Sequence, residues 1–158
     1  MPAKKKSTRK PARKAARKTA RSKARPVRKQ PETLRLRAAT PGYTVNDIHR
    51  SLAWYQNVLG CFVVERWEKD GQLRGASVRA GAVDFYLGQD DWQMGRDRVK
   101  GAGFRIYCTT GQSVDKIAAD IKARGGTLLH DPQDEPWGER DFAIEDPDGF
   151  KITISQAR

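Results

Sequence analysis

Acidic residues are missing from the first thirty positions of this 158-residue chain, and residues 1–33 contain no leucine, isoleucine or aromatic side chain. Such a segment cannot bury enough apolar surface to offset the entropy lost on ordering. We therefore predict that residues 1–33 form a disordered tail and that one folded domain spans residues 34–158. About 125 residues is an ordinary length for a domain with its own core.

Cysteines and long apolar runs are also scarce. Cys61 and Cys108 are the only cysteines, and two distant thiols define neither a zinc site nor a redox motif. No apolar run approaches the roughly 20 residues of a membrane span, and the tail lacks the apolar segment of a secretory signal. These absences favour a cytoplasmic protein with buried, reduced thiols and no transmembrane segment.

The positive charge of the chain is concentrated in the tail. The tail holds fourteen of the 31 lysines and arginines, so residues 31–158 carry 17 basic and 19 acidic side chains. Cations that neutralise phosphates release condensed counterions, and no aromatic side chain is present for base stacking. We predict non-specific binding to DNA, RNA or another polyanion, with association to the nucleoid if the partner is DNA. The cations are Lys4, Lys5, Lys6, Arg9, Lys10, Arg13, Lys14, Arg17, Lys18, Arg21, Lys23, Arg25, Arg28 and Lys29.

Three alternatives for the tail stay open. It is a solvated spacer without a partner, an upstream extension that is not part of the natural protein, or an attachment to anionic membranes that relies on charge alone.

The rest of the chain is an internal repeat. A strand in "LRLRAATPGYTV" precedes a helix in "NDIHRSLAWYQNVLG", and the strands "CFVVERW", "ASVRAG" and "AVDFYLG" follow. The second half repeats this order with "FRIYCTT", the helix "SVDKIAADIKARGG", and the strands "TLLH", "DFAIE" and "FKITIS". We predict an α+β fold of two βαβββ units that form a curved mixed sheet around a cleft.

Helix signals support this interpretation. Asn46 or Asp47 and Ser113 suit the first position of each helix, and Gly60 and Gly125 suit the position after each helix. Pairing the helices on these glycines places "SLAWYQNVLGCFVV" opposite "KIAADIKARGGTLL" without a gap.

The order of these segments resembles that of the glyoxalase / bleomycin-resistance / extradiol-dioxygenase superfamily, the vicinal oxygen chelate proteins. The likeness covers about residues 34–156 and includes "TVNDIHRSLAWYQNVLGCFVVE" and "RGGTLLHDPQDEPWGERDFAIEDPDGFKITIS". It implies a cleft in which metal-dependent members hold a divalent cation with His or Glu from each half, and a homodimer as the usual assembly.

The residues at those ligand positions are not metal ligands here. By resemblance the positions fall on Thr40, Phe85, Arg105 and Thr153. Hydroxyl and phenyl groups are poor ligands for a divalent metal, and a guanidinium repels it. His49 and His130 do not fall on a ligand position. The substitutions favour a metal-free member without a cofactor, whose cleft binds an unidentified small molecule.

Cleft-lining candidates are aromatic residues and arginines, because rings supply stacking surfaces and arginine pairs with anionic or planar polar groups. They are Tyr43, Phe85, Trp92, Arg105, Tyr107, Trp137 and Arg140. Burial in the core is the competing interpretation for each of them. No catalytic residue is identified. The alternative functions are a metal-dependent lyase or dioxygenase of the same superfamily and a scaffold protein associated with nucleic acid.

Overall fold

The computed structural model of the chain describes residues 37–156, and the predicted tail lies outside that range. The described part contains two four-stranded mixed sheets, and each has a helix on one side. Sheet A contains β1 (Gly42–Val45), β2 (Phe62–Lys69), β3 (Gln72–Ala80) and β4 (Val83–Gln89) in the order β1-β4-β3-β2. Sheet B contains β5 (Arg105–Thr110), β6 (Leu128–Asp134), β7 (Arg140–Glu145) and β8 (Lys151–Gln156) in the order β5-β8-β7-β6.

The βαβββ repeat is confirmed. In each sheet the first strand pairs in parallel with the fourth, and the remaining pairs are antiparallel. The first strand is shorter than predicted, because regular pairing begins only at Gly42. Pro41 precedes it and uses its carbonyl to accept a hydrogen bond from Tyr86 N at 2.9 Å. A proline at a strand entry loses no donor that the ladder needs.

Both helices begin as the sequence predicts. Helix α1 (Ile48–Trp54) is capped by Asp47, whose carboxylate accepts from two backbone amides of the first turn. Helix α2 (Val114–Ala123) is capped by Ser113. The same glutamine contact holds the first residue of each helix. Gln89 Oε1 accepts from Ile48 N at 3.0 Å, and Gln156 Oε1 accepts from Val114 N at 3.4 Å.

The helical segment of the first half holds one residue more than that of the second half between its N-cap and its left-handed glycine, since Asp47 to Gly60 is a step of 13 residues and Ser113 to Gly125 a step of 12. Helix α1 continues as a π-helical turn over Tyr55–Leu59, and Gly60 then adopts a left-handed φ of 86°. The amide of Cys61 bonds to the Tyr55 carbonyl six residues back, whereas the corresponding bond after α2 spans five residues, from Gly126 to Ile121. The ungapped helix alignment is therefore wrong upstream of this turn by one residue. A π-turn is the usual way in which a helix accommodates a single inserted residue.

The hydrophobic core lies on the helix side of both sheets. Strand residues that face the helices are buried, including Val45, Leu87, Phe142 and Ile152. Their neighbours in each strand point to the opposite side because side chains alternate along a strand. We call that opposite side the open face of each sheet, since no helix of the described residues packs on it.

The turn between β7 and β8 connects the two halves through buried polar contacts. Asp148 accepts hydrogen bonds from Ser51 Oγ at 2.9 Å and from Asn46 N at 3.0 Å. Asp146 accepts from Tyr55 Oη at 3.1 Å and, through its other oxygen, from two amides of its own turn at 2.9 Å. The "DPDG" sequence thus closes a hairpin and also binds the α1 helix of the other half.

Candidate functional site

The open face of sheet A carries a groove with a glycine floor. Trp67, Gly75, Gly88 and Thr44 form one row across the four strands, because these residues are paired in consecutive ladders. A Cβ atom on Gly75 would lie 2.8 Å from Cε3 of Trp67, so only a glycine leaves room for the ring at this position. Glycine within a strand often marks a place where another group approaches the backbone closely.

Tyr86 forms the other wall of this groove. Its ring meets the Trp67 ring edge to face, with ring centroids 5.6 Å apart. The two side chains are 38% and 45% exposed, respectively, and the groove has a volume of about 420 Å³. Two exposed rings at right angles beside a row of glycines offer a planar molecule a ring face on which it can stack.

The open face of sheet B is more polar. Arg105 Nη1 donates to Thr153 Oγ1 at 2.7 Å, and Tyr107, which pairs with Thr153 across the ladder, is 73% exposed. His130 Nε2 lies 3.8 Å from Asp141 Oδ1 on the same side. An arginine beside an exposed phenol ring provides both a stacking surface and a donor for an anionic group.

Burial raises the pKa of Asp141, and the negative charge of Glu135 raises it further, while His130 and Arg105 act in the opposite direction. The carboxyl is almost completely buried by its neighbours on this face. Positive charge close to this carboxyl therefore stabilises its ionised form.

The predicted cleft residues are divided between different parts of the fold. Arg105 and Tyr107 lie on the open face of sheet B, and Trp137 is 66% exposed in the connection between β6 and β7. Tyr43 and Phe85 instead lie in the core, each 2% exposed, with ring centroids 6.2 Å apart. Their strands place them on the helix side, so neither is on an open face.

Cationic side chains contact the Trp92 ring, and an ion pair holds Arg140. Trp92 lies in the connection after β4, with the Arg96 guanidinium 4.8 Å and Lys100 Nζ 5.6 Å from its ring. Arg140 makes two hydrogen bonds to Asp115 of α2, at 3.0 and 2.7 Å. Arg140 therefore points to the helix side of sheet B and away from the open face.

One of the expected metal-ligand positions needs correction. Arg105 and Thr153 lie together on the open face of sheet B, where a hydrogen bond of 2.7 Å joins them, whereas Phe85 faces the core. Thr40 precedes β1. Tyr86 takes the place of Thr153 in sheet A, because each lies three residues before the glutamine that binds its helix.

With Tyr86 in place of Phe85, these positions still offer no metal-ligand set. Thr40, Tyr86, Arg105 and Thr153 bring no imidazole or carboxylate, the groups that divalent metals prefer in such sites. Within residues 37–156, no three His, Cys, Asp or Glu side chains come together as a metal site. The donors that are present do not fit the superfamily's divalent cation.

Sequence reasoning missed Trp67, Tyr86 and the pair His130–Asp141. A signal for Tyr86 is present in "DFYLG": Phe85 and Leu87 alternate with it, which places the tyrosine on the opposite face. Gly75 and Gly88 inside strands are a second signal.

Residues 37–154 match the sequence profile described as the Glyoxalase/Bleomycin resistance protein/Dioxygenase superfamily. The chain belongs to this superfamily. Solved structures of similar fold include a superfamily member from Sphaerobacter thermophilus DSM 20745, at 26% identity and TM-score 0.60, which covers 76% of this chain and 98% of that one. No curated protein matched the chain.

Two further structures share the superfamily fold. TioX from Micromonospora sp. ML1 is 19% identical, with TM-score 0.62, and covers 75% of this chain and 98% of its own. TnmS3, described as an antibiotic binding protein from Streptomyces sp. CB03234, is 22% identical, with TM-score 0.61, and covers 80% of this chain and all of its own.

No helix among residues 37–156 is both long and apolar enough to cross a membrane. The fourteen tail cations that we predict to bind polyanions all lie outside the described residues.

Proposed function

We propose that the domain from about residue 34 onward binds a planar small molecule on its open faces and does so without a catalytic metal. The observation that carries this proposal is the pair of exposed rings, Trp67 and Tyr86, over a glycine floor. The ligand stacks on one of these two perpendicular rings, and Arg105 on the open face of sheet B is the proposed partner of its polar or anionic group. The antibiotic-binding description of TnmS3 is consistent with such a ligand.

Binding can be tested with an aromatic carboxylate such as anthraquinone-2-carboxylate and with its neutral amide, by the quenching of tryptophan fluorescence. Tyr86→Ala should weaken both ligands about tenfold, because it removes one stacking surface. Arg105→Ala should weaken only the carboxylate, also about tenfold. Arg140→Ala is the matched control, since its guanidinium is bound to Asp115 on the other side of the sheet.

If neither ligand binds to the wild-type protein, or if Arg140→Ala has the effect expected of Arg105→Ala, the open-face assignment is wrong. Metal analysis of the purified protein tests the second part of the proposal. Stoichiometric, tightly bound Fe, Mn, Ni or Zn would contradict the metal-free function and favour the lyase or dioxygenase alternative.

We also propose that two copies of the chain associate through exposed apolar side chains outside the Trp67–Tyr86 groove. Such side chains are strongly exposed, with Tyr107 at 73% and Phe62 at 55%. Exposed apolar patches of this kind commonly mark interfaces or binding sites. Sedimentation of the full chain should show a dimer, and Phe62→Glu should shift it to a monomer.

The tail localises the domain on polyanions, as its charge predicts. This proposal rests on the sequence alone. If half of the fourteen cations each neutralise one phosphate, the logarithm of duplex affinity should fall with the logarithm of salt concentration with a slope of roughly −6.

Deletion of residues 1–30 is the direct test, with duplex binding measured by fluorescence anisotropy over a range of salt. The deletion should remove both the affinity and the steep salt slope. Equal binding by the truncated chain would show that the tail does not carry the interaction.

A further inference from the structure

A second cavity lies on the helix side of the sheets, opposite to the open faces. It has a volume of about 560 Å³ and lies between the end of α1, the β3–β4 turn, the end of β5 and helix α2. The side chains of Leu59, Val83, Phe85, Ile117, Ile152 and Ile154 form the apolar part of its wall, and Asp120, Arg124 and residues 109–112 form the polar part. Cys108 also borders the cavity.

The repeat explains why there is space here. Tyr43 pairs with Leu87, and Cys108 pairs with Ile154, each partner two residues before the glutamine that binds its helix. Cys108 therefore occupies, in the second half, the position that Tyr43 occupies in the first. By the same count Val83 corresponds to Phe150, six residues before each glutamine.

Around Tyr43 and Phe150, aromatic rings fill the volume that is equivalent to the cavity. The Tyr43 ring stacks on Phe150 with centroids 4.5 Å apart and lies 6.3 Å from the Tyr55 ring. At the cavity, the Cys108 thiol and the Val83 isopropyl group stand where the repeat-related site has the Tyr43 and Phe150 rings. The cavity is thus about the volume of the two rings that only the repeat-related site contains.

The neighbouring turns show the same difference in packing. A Cβ atom on Gly149, in the β7–β8 turn, would lie 3.0 Å from the Lys100 carbonyl oxygen. A Cβ atom on Gly81, in the corresponding β3–β4 turn, would have no atom within 4 Å. The turn beside the cavity is therefore less tightly packed than its counterpart.

We propose that this cavity is a second binding site, for a neutral aromatic molecule of one or two rings. Rings pack at the equivalent position of the other half, which shows that the backbone arrangement accommodates them. The volume lies within the range of about 300–1,000 Å³ for small-molecule sites. The ligand is neutral because the apolar part of the wall disfavours an unpaired charge, and the two charged lining residues, Asp120 and Arg124, have opposite signs. The bordering thiol agrees, since burial raises the pKa of Cys108.

This site does not depend on the open-face function, because Phe85 and Ile152 face it while their strand neighbours Tyr86 and Thr153 face the other way. The two sites can therefore be separated by substitution.

The test uses the full chain and the neutral probe 1-naphthol, followed by its fluorescence and by calorimetry. Cys108→Phe and Val83→Phe each place a ring where the other half has one. Both variants should lose at least about tenfold in 1-naphthol affinity and should unfold at a higher temperature than the wild type, since they fill a cavity. Ala53→Phe is the matched control, because it adds the same ring at an exposed position of α1; its affinity should be unchanged.

A second measurement covers the case in which a ring variant does not fold. Labelling of Cys108 by N-ethylmaleimide in the wild-type protein, followed by mass spectrometry, should slow in proportion to 1-naphthol occupancy. The proposal fails if 1-naphthol does not bind at millimolar concentration, or if it binds without protecting Cys108. It also fails if Tyr86→Ala abolishes binding while Cys108→Phe leaves it intact, because the probe would then lie on the open face.

Discussion

The buried hydrogen bond between Tyr55 and Asp146 allows a sharp test of how the two halves are held together. Tyr55→Phe removes one oxygen atom and leaves the ring, which packs against Trp54 and Phe85 at centroid distances of 5.0 and 5.7 Å. The change therefore isolates the contact between α1 and the β7–β8 turn.

The expected magnitude follows from what the Asp146 carboxylate loses. One oxygen keeps its two backbone amide donors, but the other loses the Tyr55 hydroxyl at 3.1 Å. A buried hydrogen bond to a charged group contributes about 1.5–3 kcal/mol. The free energy of unfolding at neutral pH should fall by that amount, which lowers Tm by roughly 5–12 °C for a domain of this size.

The effect should depend on pH in a defined direction. Burial raises the pKa of Asp146, and the hydrogen bond from Tyr55 partly offsets this. A raised pKa means that the ionised carboxyl opposes folding, and stability is regained as the pH falls through the folded pKa. The hydroxyl stabilises the ionised form, so the penalty of Tyr55→Phe should be full at about pH 8 and should shrink toward about pH 4.

Urea unfolding at both pH values measures this difference, and Tyr43→Phe is the matched control. The Tyr43 hydroxyl is buried, with no hydrogen-bond partner among residues 37–156. Its removal should be neutral or stabilising, since it relieves an unsatisfied group. Equal losses for the two variants, or a Tyr55→Phe loss that stays constant with pH, would refute the reasoning.

Three further predictions concern the backbone, a thiol and an ion pair. Gly101→Ala should lower the free energy of unfolding by about 3 kcal/mol or more, because the new Cβ would clash with the Gly149 carbonyl oxygen of the β7–β8 turn. Gly103 has a similar positive φ but open space around it, so Gly103→Ala should lower the free energy of unfolding by only about 1–2 kcal/mol. Burial, and to a lesser extent the charge of Cys108, raises the pKa of Cys61 to about 12. Iodoacetamide labelling of Cys61 at about pH 8 should therefore be about 1,000-fold slower than labelling of an exposed thiol. Rapid labelling would contradict this burial. Arg140→Ala should change Tm by less than about 2 °C, because its ion pair with Asp115 is solvent-exposed; a large loss that persists in high salt would overturn this view.

Much of the fold was predictable because local signals and the repeat agree. The caps at Asp47 and Ser113 and the left-handed glycines after each helix place both helices correctly. Alternation predicts the strands of sheet B and puts Arg105 and Tyr107 on one face. These features depend on residues that are close in sequence.

The site was harder to predict because successive side chains of a strand point to opposite faces of the sheet. A shift of one residue moves the predicted position from Tyr86 on the open face to Phe85 in the core. Arg140 is conspicuous in sequence, yet its partner Asp115 comes from α2, 25 residues away. Such long-range pairings are not visible in local patterns.

The additional residue in α1 has a consequence for how the two halves are joined. Ser51 of α1 and Tyr55, the first residue of the π-turn, bind the β7–β8 turn. Val58, near the end of the π-turn, packs against Gly126 beyond α2, where a glycine Cβ would lie 2.7 Å from its methyl group. One residue corresponds to about 100° of rotation in a helix, so a regular helix could satisfy only one of these two surfaces. The π-turn supplies the rotation that lets one helical segment contact both the β7–β8 turn and Gly126. Helix α1 and its π-turn thereby allow two diverged copies of one unit to pack together.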